Sequence, residues 1–175
     1  MNLEEADSLS EQIAKYISEQ IISGELVEGE RIQELRIAKA LDVSRGSVRE
    51  ALLLLERTYL IEIFPRRGAI VSEMSAQQVK ALFDTNVMVL GHIVQRISET
   101  WRANEAEQLQ ALLDQLVEFV RAGDIEKFYD AIFKYLAEQH DMVANPYLMQ
   151  FYKELLPSLR RSYFLTLNTS RRELQ

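Results

Sequence analysis

Residues 37 to 52 read Ile37-Ala38-Lys39-Ala40-Leu41-Asp42-Val43-Ser44-Arg45-Gly46-Ser47-Val48-Arg49-Glu50-Ala51-Leu52, and the run Leu60 to Val71 follows shortly after. The pattern predicts two short helices with a tight turn at Leu41 to Ser44, then a small hairpin. In the second helix Val48, Ala51, Leu52 and Leu55 recur at i, i+3, i+4 and i+7, so this stripe faces a core. Arg45 and Arg49, one turn apart at the helix start, are left on an exposed flank. Two arginines near the N-terminus of the second helix of such a pair sit where a recognition helix meets base edges and phosphates in the major groove. The competing reading is a solvated flank whose arginines pair with Glu50 or Asp42.

The 175 residues suffice for one ordinary domain or two small ones, and 47% hydrophobic residues can bury a substantial core. There is no cysteine, which excludes disulfides and thiolate metal sites. The acidic start Met1-Asn2-Leu3-Glu4-Glu5 lacks the apolar run of a signal peptide, and no segment approaches the roughly 18 uninterrupted apolar residues that a membrane span needs. A cytoplasmic protein with no membrane partner is the expectation. The net charge of -7 argues against coating nucleic acid through bulk positive charge. Between Ser44 and Val71, however, five arginines face three glutamates. Such a footprint suits a small, sited contact that depends on a dimer or on specific bases.

Ser8 with Glu11 makes a capping box for a first helix at about Leu9 to Ser23, after a frayed Met1 to Asp7. Its apolar face is read as Ile13, Tyr16, Ile17 and Ile21, and Gly24 stops it. Leu26 to Ile32 reads as a loop entering the second helix, about Gln33 to Leu41. Ser44 caps the third, which runs to about Arg57; its half Leu52 to Leu55 is apolar on nearly all sides and is expected to be well buried. Leu60 to Phe64 and Ala69 to Val71 flank Pro65-Arg66-Arg67-Gly68, a hairpin with a basic tip. Helix pair plus hairpin make a winged helix-turn-helix over residues 1–72.

Downstream, Ser75 with Gln78 opens a second, wholly helical part over residues 75–175. Helices are predicted at about Ala76 to Trp101, Glu105 to Ala122, Ile125 to Val143 and Pro146 to Leu167. Asn104 with Glu107, Asp124 and Asn145 supply caps, and Gly123 ends the second of these helices. Phe83, Val87, Leu90, Val94 and Ile97, and then Leu109, Leu112, Leu113, Leu116 and Phe119, give the apolar faces. Trp101, Phe128, Tyr135, Tyr147, Tyr152 and Tyr163 read mostly as core. The fold class is therefore mainly α, an N-terminal winged helix-turn-helix followed by an antiparallel all-α helical bundle.

Gly24-Glu25-Leu26 with Gly29 and Arg31-Ile32, then Leu41 to Leu52, Leu55, Leu60 and Arg66-Arg67-Gly68, resemble the GntR family of bacterial transcription regulators. The helical half resembles that family's FadR-type (FCD) effector domain. The resemblance implies a homodimer on a pseudo-palindromic DNA operator, and a helical domain that dimerises and senses a small-molecule metabolite. It also implies DNA contacts at Arg45, Arg49 and the wing near Gly68, with Arg66 and Arg67 at its tip, and phosphate contacts from Ser44 and Ser47. Arg36 on the preceding helix is a lesser candidate. This chain departs from the family's pattern at Glu28 for proline, Asp42 for glycine and Gly46-Ser47 for Thr-Pro. A glycine at Gly46 weakens the recognition helix by roughly 1 kcal/mol relative to alanine.

Many members of this class hold a divalent metal through an Asp, a His one turn later and two further His in the last helices. Asp130 matches the Asp, but Lys134 stands at the His position, and a protonated lysine is no ligand. Asn86 and Leu90 replace a family Arg-x-x-x-Glu pair. Residues expected to line an effector pocket are Asn86, Asp130, Lys134 and His92. Asp130 alone is a weak metal candidate, so no metal or other cofactor is expected; His92 and His140 are read as surface or pocket-lining groups. Two readings fit the end at Gln175: a lost metal site, or a fragment missing its last helices, the second preferred. Without a nucleophile, acid/base pair or metal cluster among two histidines and no cysteine, an enzyme is not expected. A protein-interaction module whose winged helix no longer reads DNA is the alternative.

Overall fold

The computed structural model describes residues 7–101 and 105–173. The start before Asp7 and the expected cap at Asn104 lie outside the described residues, as does the His140 side chain. The chain divides into two compact units, one of Met1–Ala76 with Pro157–Gln175 and one of Gln77–Leu156.

The first unit holds α1 (Leu9–Ile22), α2 (Glu34–Leu41), α3 (Arg45–Glu56) and the strands β1 (Ile61–Phe64) and β2 (Gly68–Val71). The start of α1 is fixed by reciprocal bonds: Ser8 Oγ accepts the Glu11 amide at 3.3 Å, and Glu11 Oε2 accepts the Ser8 amide at 2.7 Å. The stripe Val48, Ala51, Leu52 and Leu55 is buried, with Ile13, Ile17 and Ile21 of α1, Ile37 and Ala38 of α2, and Leu60, Ile61, Ala69 and Val71 of the hairpin in the same core. Each fully buried Ile or Leu contributes about 1.5–3 kcal/mol relative to exposure.

Two positions read as inward face solvent. Tyr16 and Leu53 are exposed, because α1 turns Ala14, Ser18 and Ile22 inward and α3 keeps one covered stripe. The hairpin pairs Ile61 with Val71 and Phe64 with Gly68. Residues 29–32, read as loop, line the other edge of β2: Arg31 bridges Ile70, the Ile32 amide reaches Ala69 O at 2.9 Å, and the Gly29 amide reaches Val71 O at 3.0 Å. The loop amides thereby satisfy the carbonyls of the buried Ala69 and Val71, which would otherwise be stranded.

Tyr59, just beyond α3, has φ 60, a left-handed conformation that suits glycine better than a bulky side chain. Tyr59→Gly is expected to raise stability by about 0.5–1 kcal/mol, the relief of strain being partly offset by glycine's larger unfolded entropy. At Asp42, also left-handed, aspartate tolerates the region and Asp42→Gly should change stability by less than about 0.5 kcal/mol. Urea unfolding midpoints of the two variants check the ranking.

The second unit contains α4 (Ala76–Thr100) from Gln77 on, α5 (Glu105–Ala122), α6 (Ile125–Ala137), the short α7 (His140–Val143) and the opening turns of α8 (Pro146–Glu173). Gly123, at φ 69, ends α5, and Asp124 Oδ1 accepts the Lys127 amide at 3.2 Å to start α6. The buried face of α4 is Asn86, Val89, Ile93 and Ile97; of the predicted stripe only Ile97 lies on it, Phe83 and Leu90 are half-buried, and Val87 and Val94 are exposed. This helix is apolar on more than one side, so periodicity leaves the choice of face open. On α5 the residues Leu109, Leu112, Leu116 and Phe119 are half-buried, whereas Leu113 is exposed. Of the aromatic set Tyr152 is buried, while Tyr147 and Trp101 face solvent.

The helix predicted from Ile125 to Val143 is interrupted. The Glu138 amide bonds to the carbonyls of both Lys134 and Tyr135, and the Gln139 side-chain amide donates to Tyr135 O at 2.9 Å. The tightened last turn and the side-chain cap close α6 before α7 begins. Thr100 Oγ1 of α4 donates to Met142 O at 2.8 Å, taking up one of the free carbonyls of α7.

Helix α8 carries Pro157 in its interior, where a proline removes one helical hydrogen bond. The second unit ends at Leu156 and Pro157 opens the segment that packs with the first. Within the first unit Ser158 Oγ donates to Thr58 O at 2.7 Å, Arg160 Nη1 to Glu19 Oε1 at 2.7 Å, and Arg161 Nη2 to Glu28 Oε1 at 3.1 Å. Glu28 Oε1 also accepts the Met74 amide at 3.2 Å. No helix among the described residues is long and apolar enough to cross a membrane.

Candidate nucleic-acid interface

The sharp turn between α2 and α3 rests on Asp42, left-handed at φ 53 and ψ 46, with the Val43 amide returning to Ala38 O at 3.0 Å. Ser44 then caps α3: its Oγ accepts the Ser47 amide at 3.0 Å and lies 2.9 Å from Ser47 Oγ. The cap makes Arg45 the first residue of α3 and puts Arg49 one turn on, near the positive end of the helix dipole. Both side chains are well exposed, at 58% and 62%.

Their acidic partner is neither Glu50 nor Asp42. Glu34, the first residue of α2, accepts Arg49 Nε at 2.9 Å and lies 3.7 Å from Arg45 Nη2. No sequence signal marks this pairing, since Arg49 and Glu34 are 15 residues apart and meet through the turn. Gly46 is exposed, and a Cβ there would meet nothing nearer than Ser44 Oγ at 3.5 Å, so the fold itself does not require glycine. Arg36 is exposed on α2.

At the wing the Arg67 amide closes a turn onto Phe64 O at 3.1 Å, with Arg66 left-handed at φ 65. Arg66 and Arg67 are exposed. Gly68, at φ 80, leaves room where a Cβ would come within 3.7 Å of Arg31 Nη2 and 3.8 Å of its Nε. Arg31, exposed and unremarked as a contact in the sequence, thus joins Arg66 and Arg67 at the hairpin. Only the strand register, which sets Arg31 beside Ile70, reveals it.

In the helical unit the four residues read as pocket-lining are not gathered. Asn86 is buried on α4, and its Oδ1 has no hydrogen-bond partner among the described residues. His92 is exposed on α4, and Asp130 and Lys134 are exposed on α6. An open groove of about 970 Å³ runs along α5, α6 and α7; Lys134 lines it with Gln108, Gln115, Glu118, Glu138 and Met142. Among the described residues no group of three or more His, Asp or Glu is placed to hold a metal ion. A solvent-facing Asp130 with a lysine one turn later does not fit a divalent cation.

The model of the bacterial regulatory proteins of the gntR family matches residues 9–71, and that of the FCD domain matches residues 81–175. An uncharacterized HTH-type transcriptional regulator of Bacillus subtilis, YdhC, is 31% identical over 111 residues, covering 63% of this chain and 48% of that protein. The gluconate operon transcriptional repressor of Bacillus licheniformis is 23% identical over 171 residues, covering 93% of this chain and 66% of that protein. The chain therefore spans between about half and two thirds of the length of these relatives. Among solved structures, E. coli McbR/YncC superposes with a TM-score of 0.75 over 93% of this chain and 77% of that one, at 21% identity. At this identity the likeness is one of fold.

Proposed function

Because this chain belongs to the GntR family of bacterial regulatory proteins and carries an FCD domain, we propose that it binds a double-stranded DNA operator as a homodimer and responds there to a small-molecule effector. The matched families are transcription regulators rather than enzymes. The observation that carries the DNA reading is the pair Arg45 and Arg49, exposed on the first turns of a capped α3 whose opposite face is core. Arg31, Arg66 and Arg67 supply the wing contact, and Ser44, Ser47 and Arg36 supply phosphate donors. Operator binding by a dimer suits a chain with a net charge of -7, since one small basic footprint gives little sequence-independent affinity. Val87, Met88 and Val94 leave apolar surface on α4 that a second copy can cover.

The response is a coupling of two states, so the effector must bind the two arrangements of the dimer unequally. The groove along α5, α6 and α7, with carboxylates, amides and one lysine, suits a polar effector. Repression is the favoured sense of the response, in line with the gluconate operon repressors among the relatives. No metal enters this proposal, because Lys134 stands where a ligand is needed.

Selection from a pool of random duplexes with the whole chain tests the reading. Enrichment of an inverted repeat is expected, with half-site centres about 10 base pairs or a multiple apart. A pool that stays random, beside a folded protein, favours the interaction-module reading instead.

A further inference from the structure

We propose that Glu34 is a specificity-determining residue of the DNA-reading surface, orienting Arg49 for base contact and suppressing phosphate contact by Arg45 and Arg49. The inference rests on the DNA-reading proposal and deepens it.

Glu34 is held at the N-terminus of α2, where the helix dipole favours a carboxylate, and its side chain is 21% exposed, against 58% and 62% for the two arginines. The same oxygen, Oε2, accepts Arg49 Nε at 2.9 Å and stands 3.7 Å from Arg45 Nη2. A guanidinium has five N–H donors, and with Nε engaged the Nη donors of Arg49 remain to meet the O6 and N7 of a guanine. Holding the side chain in one rotamer reduces the ordering cost at the moment of binding. The carboxylate also opposes any phosphate drawn to these arginines. It therefore weakens the sequence-independent, salt-sensitive part of the affinity and spares the base-specific part. When DNA covers the site and excludes water, both effects strengthen.

The test compares wild type, Glu34→Ala and Glu34→Gln on the duplex that wild type selects from the random pool and on a scrambled duplex of equal length, over a range of salt. Glu34→Ala is expected to bind the scrambled duplex about threefold to tenfold tighter at low salt, with a salt dependence steeper by about one released counterion. The advantage of the selected duplex over the scrambled one is expected to fall about tenfold. Glu34→Gln, which keeps an acceptor for Nε without the charge, should recover part of that advantage while retaining the tighter scrambled binding. An unchanged advantage in both variants overturns the inference. So does equal loss on both duplexes with a lowered melting temperature, the mark of a purely structural residue. If wild type selects no sequence, the DNA reading itself fails and the inference falls with it; a selective wild type beside unaltered variants removes only the role of Glu34.

Discussion

Arg45→Ala and Arg49→Ala are each expected to abolish sequence-selective DNA binding while leaving the fold intact. Neither side chain packs into the core: both are more than half exposed, and the buried face of α3 is Val48, Ala51, Leu52 and Leu55. Alanine is also the better helix former, so α3 should not weaken. A bidentate arginine contact contributes about 1–3 kcal/mol of discrimination, and a dimer on two half-sites loses it twice, about 2–6 kcal/mol for each substitution. Fluorescence anisotropy with the selected duplex reads this as at least a roughly thirtyfold loss, since 1.4 kcal/mol is about tenfold. Circular dichroism should be unchanged. Wild-type affinity in both variants defeats the assignment of α3 as the reading helix.

Glu28→Ala is expected to destabilise the first unit more than Arg161→Met does, although both break the same ion pair. Arg161 is 2% exposed, and Glu28 Oε1 lies 3.1 Å from its Nη2. Its Nη1 has no hydrogen-bond partner among the described residues. Burial pulls the guanidinium below its usual pKa, and the Glu28 charge opposes that shift. Removing Glu28 strands a buried cation and also frees the Met74 amide. Stranding a buried charge costs about 3–5 kcal/mol in well-covered pairs; since Glu28 is 42% exposed, a smaller loss of about 2–3 kcal/mol is expected. Arg161→Met removes the buried charge at similar volume and should stay within about 1 kcal/mol of wild type. The double variant should regain most of the loss seen in Glu28→Ala. Urea unfolding midpoints decide, and a larger loss for Arg161→Met reverses the argument.

The resemblance of the sequence to a winged helix-turn-helix regulator and the family match agree because the informative residues lie close together. Ser8 with Glu11, Ser44 before α3, Gly123 after α5 and the stripe from Val48 to Leu55 all act within about one or two turns of helix. The residues that misled are apolar ones on helices with more than one apolar side. Val87 and Val94 fit the helical period as well as Val89 and Ile93 do, and so do Tyr16 and Leu53 in their helices. The break between α6 and α7 was hidden because Gln139 is an ordinary helix residue until its side chain takes the Tyr135 carbonyl.

Within the interface, the positions of Arg45 and Arg49 follow from local rules, since a capped helix start and one turn's spacing are properties of neighbouring residues. Their engagement by Glu34, the approach of Arg31 to Gly68 and the pairing of Arg161 with Glu28 across 133 residues are products of packing. A helix or a tight turn closes its hydrogen bonds within a few residues, so its chemistry can be read along the chain. An ion pair or a strand register joins groups whose distance is set only when separate elements bury their apolar faces together, and those partners come into view only in the folded molecule.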